Sequence, residues 1–241
     1  MSAPDDLHGP RENRLLAALP REDYERLLAK LDMVSLAIKQ IVYEPNGPIP
    51  HVYFPTSAVT SVISIMEDGV GVEVATVGNE GMVGLPLFLG AATTPLQAFC
   101  QVPGAAARLK ADVFRDEIDR GSPLHGLLQR YTQALLNQIA QSAACNRVHS
   151  IDQRCARWLL MTHDRVRADQ FLLTQEFLAQ MLGVRRASVN TAAGMLQKAG
   201  FIRYTRGRIT VTDRPGLESA SCECYRIIKE DFDRLLGQAR G

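Results

Sequence analysis

Residues 174–211 read TQEFLAQMLGVRRASVNTAAGMLQKAGFIRYTRGRITV, and the spacing of three residues within them decides the fold. Counted from Gln175, Ala179 stands at the fifth position, Gly183 at the ninth and Val189 at the fifteenth. Ala179 is small enough for a second helix to approach the first. Gly183 can supply the left-handed backbone of a tight turn without a Cβ penalty. Val189 plugs the crossing point, with Leu178 and Leu182 lining its other side. This is the pattern of a helix-turn-helix.

On a helical wheel drawn from Arg185 to Lys198, Val189, Ala192, Ala193 and Leu196 share one apolar face. Ala187, Thr191 and Lys198 project the other way, flanked by Ser188 and Asn190, with Arg185 and Arg186 on the first turn. The first residues of such a helix reach base edges in a major groove, and arginine suits the task because its planar fork pairs with guanine O6 and N7 together. Ser188 can donate to phosphate. Thr174 can cap the preceding helix or do the same, and Gln175 follows it at the same helix start. Directly after this helix, Phe201–Tyr204 and Ile209–Val211 alternate as two short strands joined by Thr205-Arg206-Gly207-Arg208. Such a hairpin is a wing, and Arg206 and Arg208 at its tip point to phosphate or a minor groove. The expected DNA-binding set is therefore Thr174, Gln175, Arg185, Arg186, Ser188, Asn190, Thr191, Arg206 and Arg208.

The formal net charge of the 241-residue chain is only +1, but its distribution is uneven. Residues 1–144 carry 11 Lys and Arg against 16 Asp and Glu, residues 145–214 carry 12 against 5, and residues 215–241 carry 4 against 5. A basic module on an acidic body fits a partner of double-stranded DNA at one end. No apolar run reaches membrane-spanning length, and the opening MSAPDDLHGPREN is too polar and acidic for a secretory signal. The five cysteines lack the spacing of a disulfide framework, so a reduced cytoplasm is the expected location.

Upstream, Leu15–Leu31 reads as two short helices separated at Pro20. From Val34 to Leu109 short β-rich runs (HVYFP, VTSVISIM, VEVATV, LQAFCQV) alternate with turn signals, as in an antiparallel sandwich or jelly roll. A helix over Ala111–Ile118 closes it. After the break at Gly121-Ser122-Pro123, one long helix runs to His149. Its Leu124, Leu128, Tyr131, Leu135 and Ile139 recur at three- and four-residue steps, a seam for pairing with a second copy; the other reading is a helix packed on its own domain. The fold class is thus α+β, divided as a β-roll with flanking helices (1–122), a dimerisation helix (123–149), a winged helix-turn-helix (150–216) and a C-terminal tail helix (217–241).

A β-rich N-terminal domain, a long connecting helix and a winged helix-turn-helix, in that order, resemble the cyclic-AMP receptor/fumarate-nitrate regulator (Crp/Fnr) family of bacterial transcription factors. The segments HVYFP, VGNEGMVGLP and SCECY are similar to a subgroup of that family without an assigned effector. The resemblance implies a homodimer that repositions its recognition helices in response to a signal at the β-roll, with RNA polymerase as a further partner. It places Arg186 at the family's base- or phosphate-contacting arginine, with Ala187 in place of a glutamate and Thr191 in place of a second arginine. It also locates an effector pocket near Gly84, Leu85, Thr94 and Gln97. A cyclic nucleotide would need a Gly-Glu pair for the ribose and an arginine for the phosphate. Leu85 replaces the glutamate, and no lysine or arginine lies between Lys39 and Arg108. A buried phosphate without a cation is costly, so cyclic AMP is disfavoured and the effector stays unknown.

No cysteine precedes Cys100, so the N-terminal iron–sulfur cluster of some family members is not expected. Cys222 and Cys224 form a close pair, but two thiolates fall short of a four-ligand site, and no metal is expected there. Phosphate loop, nucleophile elbow and zinc-hydrolase patterns are all lacking, which argues against an enzyme. The remaining alternative is a ligand- or protein-binding β-roll whose helical C-terminal region mediates assembly.

Overall fold

The computed structural model describes residues 9–166 and 168–237. The polar start MSAPDDLH and the last four residues of the C-terminal tail lie outside them. Two short helices come first, α1 (Arg14–Ala17) and α2 (Arg21–Leu28), with Pro20 as the cap that separates them. The fully buried Asn13 fixes α1: its Oδ1 accepts from the N–H groups of Leu15 and Leu16, while its Nδ2 donates to the carbonyls of Pro55 (2.9 Å) and Gly81 (2.8 Å).

Strands β1 (Asp32–Leu36), β2 (Ile41–Tyr43), β3 (His51–Pro55), β4 (Val59–Ile65), β5 (Gly71–Val77), β6 (Gln97–Val102) and β7 (Gly104–Lys110) form the roll, with the short α3 (Leu85–Phe88) inserted before β6. They make two sheets, ordered β1-β7-β3 and β2-β6-β4-β5. The pairs of β7 with β1 and β3, and of β2 with β6, are antiparallel. Alternation buries Val52 and Phe54 of β3, and Leu36, Phe99 and Leu109 of other strands are buried as well. Gly104 must be glycine, since a Cβ there would lie 2.5 Å from the backbone nitrogen of Ala58. Helix α4 (Ala111–Asp119) closes the roll over the buried Phe114.

After Gly121, α5 (Pro123–Val148) runs 26 residues and opens on a proline, whose missing N–H costs nothing at a helix start. The chain continues through α6 (Ile151–Val166), β8 (Gln170–Leu172), α7 (Gln175–Leu182), α8 (Arg186–Lys198), β9 (Ile202–Thr205) and β10 (Arg208–Val211). It ends in α9 (Arg214–Ala220) and α10 (Cys224–Leu236), two helices where one tail helix is expected from sequence. The wing is a three-stranded antiparallel sheet ordered β8-β10-β9; β8, only three residues long, carries too little pattern to be read in advance.

The chain divides into two compact units. One holds the chain up to Val62, Thr76–Ala134 and the end from Phe232; the other holds Ile63–Ala75 and Leu135–Asp231. In the second unit, α6 is the central element: Ala156, Trp158, Leu159 and Leu160 are all buried. Trp158 donates its indole N–H to Glu73 (2.8 Å), on the hairpin segment that belongs to the same unit.

The seam expected on α5 requires a correction. Leu124, Leu128, Tyr131 and Leu135 are buried within the protomer itself. Tyr131 donates its hydroxyl to the Met82 carbonyl (3.1 Å), its ring packs near Phe232, and Gly81 has no room for a Cβ beside it. Ile139 alone keeps partial exposure. Helical periodicity marks an apolar stripe without saying whether the chain or a second copy covers it. The open face of α5 is Gln129, Gln133, Leu136, Ala140, Ala143 and Arg147, again at alternating four- and three-residue steps, with Leu136 56% exposed.

Candidate nucleic-acid interface

Helices α7 and α8 meet through the residues that sterics demand. Thr174 caps α7, its hydroxyl accepting from the Phe177 N–H (3.1 Å). Gly183 ends α7 in the left-handed conformation at φ 63° and ψ 39°. Leu178, Ala179, Leu182, Val189, Ala192, Ala193 and Leu196 are all buried. Packing these faces leaves the rest of α8 outward. Arg185 is the cap rather than the first turn, Arg186 opens the helix, and both are exposed together with Ala187, Asn190, Thr191 and Lys198. Ser188 is half-buried.

The wing tip is a two-residue turn, because Thr205 pairs with Arg208 and leaves only Arg206-Gly207 between the strands. Both central residues have positive φ, 49° at Arg206 and 77° at Gly207, as a turn matching the twist of a hairpin requires. Asn or Asp is the usual first residue of such a turn. Arginine there is held against its backbone preference.

Three contacts join wing and helices into one surface. The Leu173 N–H donates to the Gly207 carbonyl (2.8 Å), and a Cβ on Gly207 would meet the Thr174 methyl at 3.8 Å. Tyr204 donates its hydroxyl to the Leu173 carbonyl (3.0 Å); burial pushes this phenol up, and the nearby Arg186 charge opposes that shift. Gln175 donates its amide to Asn190 Oδ1 (2.9 Å), tying the start of α7 to the middle of α8. A strip therefore runs from the wing tip past Thr174 and Gln175 to α8.

The polar groups on this strip divide into two kinds. Thr174 is occupied as a cap, Thr191 donates its hydroxyl to the Ala187 carbonyl (3.2 Å), and Asn190 accepts from Gln175. By contrast Arg185, Arg186, Lys198, Arg203, Arg206 and Arg208 form no ion pair among the described residues. Arg203 is the cation that wing-tip reasoning missed; it is exposed on β9, three positions before the turn begins, and strand alternation with the buried Ile202 marks it in the sequence. Exposed, uncompensated cations on a helix-turn-helix and its wing are what a polyanionic duplex recognises.

The expected effector residues occupy the roll. Gly84 sits at φ 101° as the cap of α3, where a Cβ would come within 3.0 Å of a Val52 methyl, and Leu85 is half-buried. Thr94 is buried, with its hydroxyl accepting from the Leu96 N–H. Gln97 donates to Glu44 (2.6 Å), which sets a carboxylate beside it rather than a cation.

The site is thus a winged helix-turn-helix, built from α7, α8 and the sheet β8-β10-β9. Residues 153–220 match the Crp-like helix-turn-helix domain. No curated protein matches the chain in sequence. Its fold is similar to that of FixK2 from Bradyrhizobium japonicum, with a TM-score of 0.64 at 16% identity over 80% of this chain and 98% of that one. It is also similar to CLP, a c-di-GMP-responsive global regulator of Xanthomonas campestris, with a TM-score of 0.61 at 17% identity over 80% and 99%. A Crp/Fnr-family regulator from Eubacterium rectale gives 0.60 at 17% identity over 86% and 96%. Residues 153–220 are thus a Crp-like helix-turn-helix domain, in a chain whose fold is like that of these three solved structures. Among the described residues no helix is long and apolar enough to cross a membrane.

Proposed function

We propose that this chain works as a homodimer that reads an inverted-repeat operator with α8 and responds to a signal received by the roll. The single observation that carries the DNA reading is the set of exposed cations along α8 and the wing that have no ion-pair partner among the described residues, against a chain of nearly balanced charge. Arg186 reads a base, Arg185 and Ser188 hold flanking phosphates, and Arg206 and Arg208 hold the wing on the backbone. Pairing through the open face of α5 sets two copies of α8 about one helical turn apart. RNA polymerase is the further partner that regulation of transcription implies. The effector is unknown and cyclic AMP is disfavoured, because Leu85, Thr94 and the Gln97–Glu44 pair supply no cation for a cyclic phosphate. The test is selection of genomic DNA fragments by the purified protein, followed by footprinting. Recovery of a common inverted repeat supports the reading. Failure to retain any duplex at low salt would favour a β-roll whose helical region serves assembly.

A further inference from the structure

Cys145 lies in the last turn of α5 and His149 directly follows that helix, while Cys222 lies in the connection between α9 and α10 and Cys224 opens α10. The chain separation of 77 residues between Cys145 and Cys222 hides what folding does to them. Their ligand atoms all lie within 4.8 Å of one another, and the three cysteines are buried. Counting only Cys222 and Cys224, the sequence reading stops at two donors and expects no metal; the fold adds a third thiol and an imidazole.

We propose that Cys145, His149, Cys222 and Cys224 form a closed four-ligand site for Zn2+. Four independent features agree on this. The spacing is that of one tetrahedral ion: bonds of about 2.3 Å to sulfur and 2.0 Å to nitrogen put S···S near 3.8 Å and S···N near 3.5 Å. Cys145 Sγ lies 3.5 Å from Cys222 Sγ, and Cys224 Sγ lies 3.6 Å from His149 Nδ1. An iron–sulfur cluster would interpose several atoms and spread the thiolates further apart.

The imidazole is oriented as a ligand. Nδ1 faces the sulfurs, while Nε2 is 3.2 Å from a Glu223 carboxylate oxygen. A carboxylate on the far nitrogen fixes the tautomer that leaves Nδ1 free to bind and raises its basicity. The sulfurs are provided with a donor: Gln141 Nε2 donates to Cys224 Sγ at 3.1 Å. Such a bond suits a metal-bound thiolate better than a thiol.

The local charge also calls for an anion. Arg154 and Arg157 are buried, at 7% and 6% exposure, and their charges bear on Cys145, with Arg154 bearing on Cys222 as well. Among the described residues Arg157 reaches Ser142 and Met161, Arg154 reaches the Leu182 carbonyl, and neither meets a carboxylate. Nε of each lacks any partner among the described residues. Two unpaired buried cations beside neutral thiols would be costly. Three thiolates, a neutral imidazole and one Zn2+ leave a single negative charge that they offset. Thiolate and imidazole donors select zinc over hard cations, and four protein ligands leave no open position for catalysis. The ion staples the end of α5 to the segment that follows the wing.

The full-length protein, purified without metal-affinity resin, should contain about one zinc per chain by mass spectrometry of the elements. Expressed in cobalt-supplemented medium, it should show the visible bands of tetrahedral cobalt and a thiolate charge-transfer band. Cys222→Ser and His149→Ala should lose both metal and bands. Cys100→Ala, in the other unit, should keep them. His149→Cys should retain the ion and shift the cobalt bands, a change that a structural role without metal would not produce. If the cysteine variants do not fold, a mercurial titration of the wild type still decides: zinc should leave in step with three thiols. Wild-type protein with only trace metal and no cobalt bands would overturn the site. So would a Cys145–Cys222 disulfide in the freshly isolated protein.

Discussion

Arg186 and Arg206 are both exposed arginines on the strip proposed to face DNA, yet they differ in what holds them. Arg186 opens α8 with an ordinary helical backbone, whereas Arg206 sits at φ 49° in a tight turn. Arg186→Ala should cost about 1–3 kcal/mol of specific binding and relax one base position, as for a bidentate arginine on guanine. Affinity for a panel of single-base operator variants checks this, and an unchanged profile would remove Arg186 from base reading. Arg206→Asn should separate stability from binding. Asparagine accepts the left-handed turn, so the fold should gain on the order of 0.5–1 kcal/mol. Loss of one phosphate contact should weaken binding to all sequences and flatten the salt slope by about one unit. Melting curves and binding titrations over salt measure the two effects separately. At this scale the sequence shows which residue types can touch DNA. It does not show that Thr191 spends its hydroxyl on Ala187, or that Asn190 answers Gln175. Those choices depend on rotamers and on neighbours brought in by packing.

Among the elements, α5 shows where periodicity is informative and where it stops. Its length and helical character are legible from three- and four-residue spacing and from the proline at its start. So are α7, the turn at Gly183 and α8, because each rests on local sterics. Which stripe of α5 faces a second copy is not legible, since the same spacing describes a stripe packed on the protomer. Tyr131, hydrogen-bonded to Met82, settles that for the Leu124–Leu135 side. The Cys145–His149 turn is likewise invisible as a site until α9 and α10 bring Cys222 and Cys224 to it. The two faces of α5 predict opposite outcomes. Leu136→Glu, on the open face, should leave the melting temperature nearly unchanged, shift sedimentation from dimer to monomer and abolish protection of a full inverted repeat. Leu128→Ala, on the buried face, should destabilise the fold by about 2–5 kcal/mol through the cavity it leaves. A dimer that survives Leu136→Glu would move the interface elsewhere.

At the scale of the whole molecule, charge divides the labour. Residues 145–214 carry seven more cations than anions, and residues 1–144 carry five more anions than cations. A duplex would therefore be attracted to the helix-turn-helix and repelled by the acidic N-terminal part of the chain. The same acidity bears on what the roll can sense. Its strands bury Val52, Phe54 and Phe99, and no lysine or arginine occurs from residue 40 to residue 107. Near Gln97 the charged group is the Glu44 carboxylate, 2.6 Å away. A cyclic phosphate entering there would lose its hydration, meet no cation and face an anion. Millimolar cyclic AMP or cyclic GMP should thus leave the melting temperature of the full-length protein unchanged. The measurement is sensitive, because a ligand present at a hundred times its dissociation constant adds about 2.7 kcal/mol of stability. If either nucleotide raised the melting temperature, Leu85→Glu would locate the effect. A pocket at Leu85 would respond to the new carboxylate through the ribose hydroxyl, whereas binding elsewhere would not, and only the first result would return this roll to cyclic-nucleotide sensing.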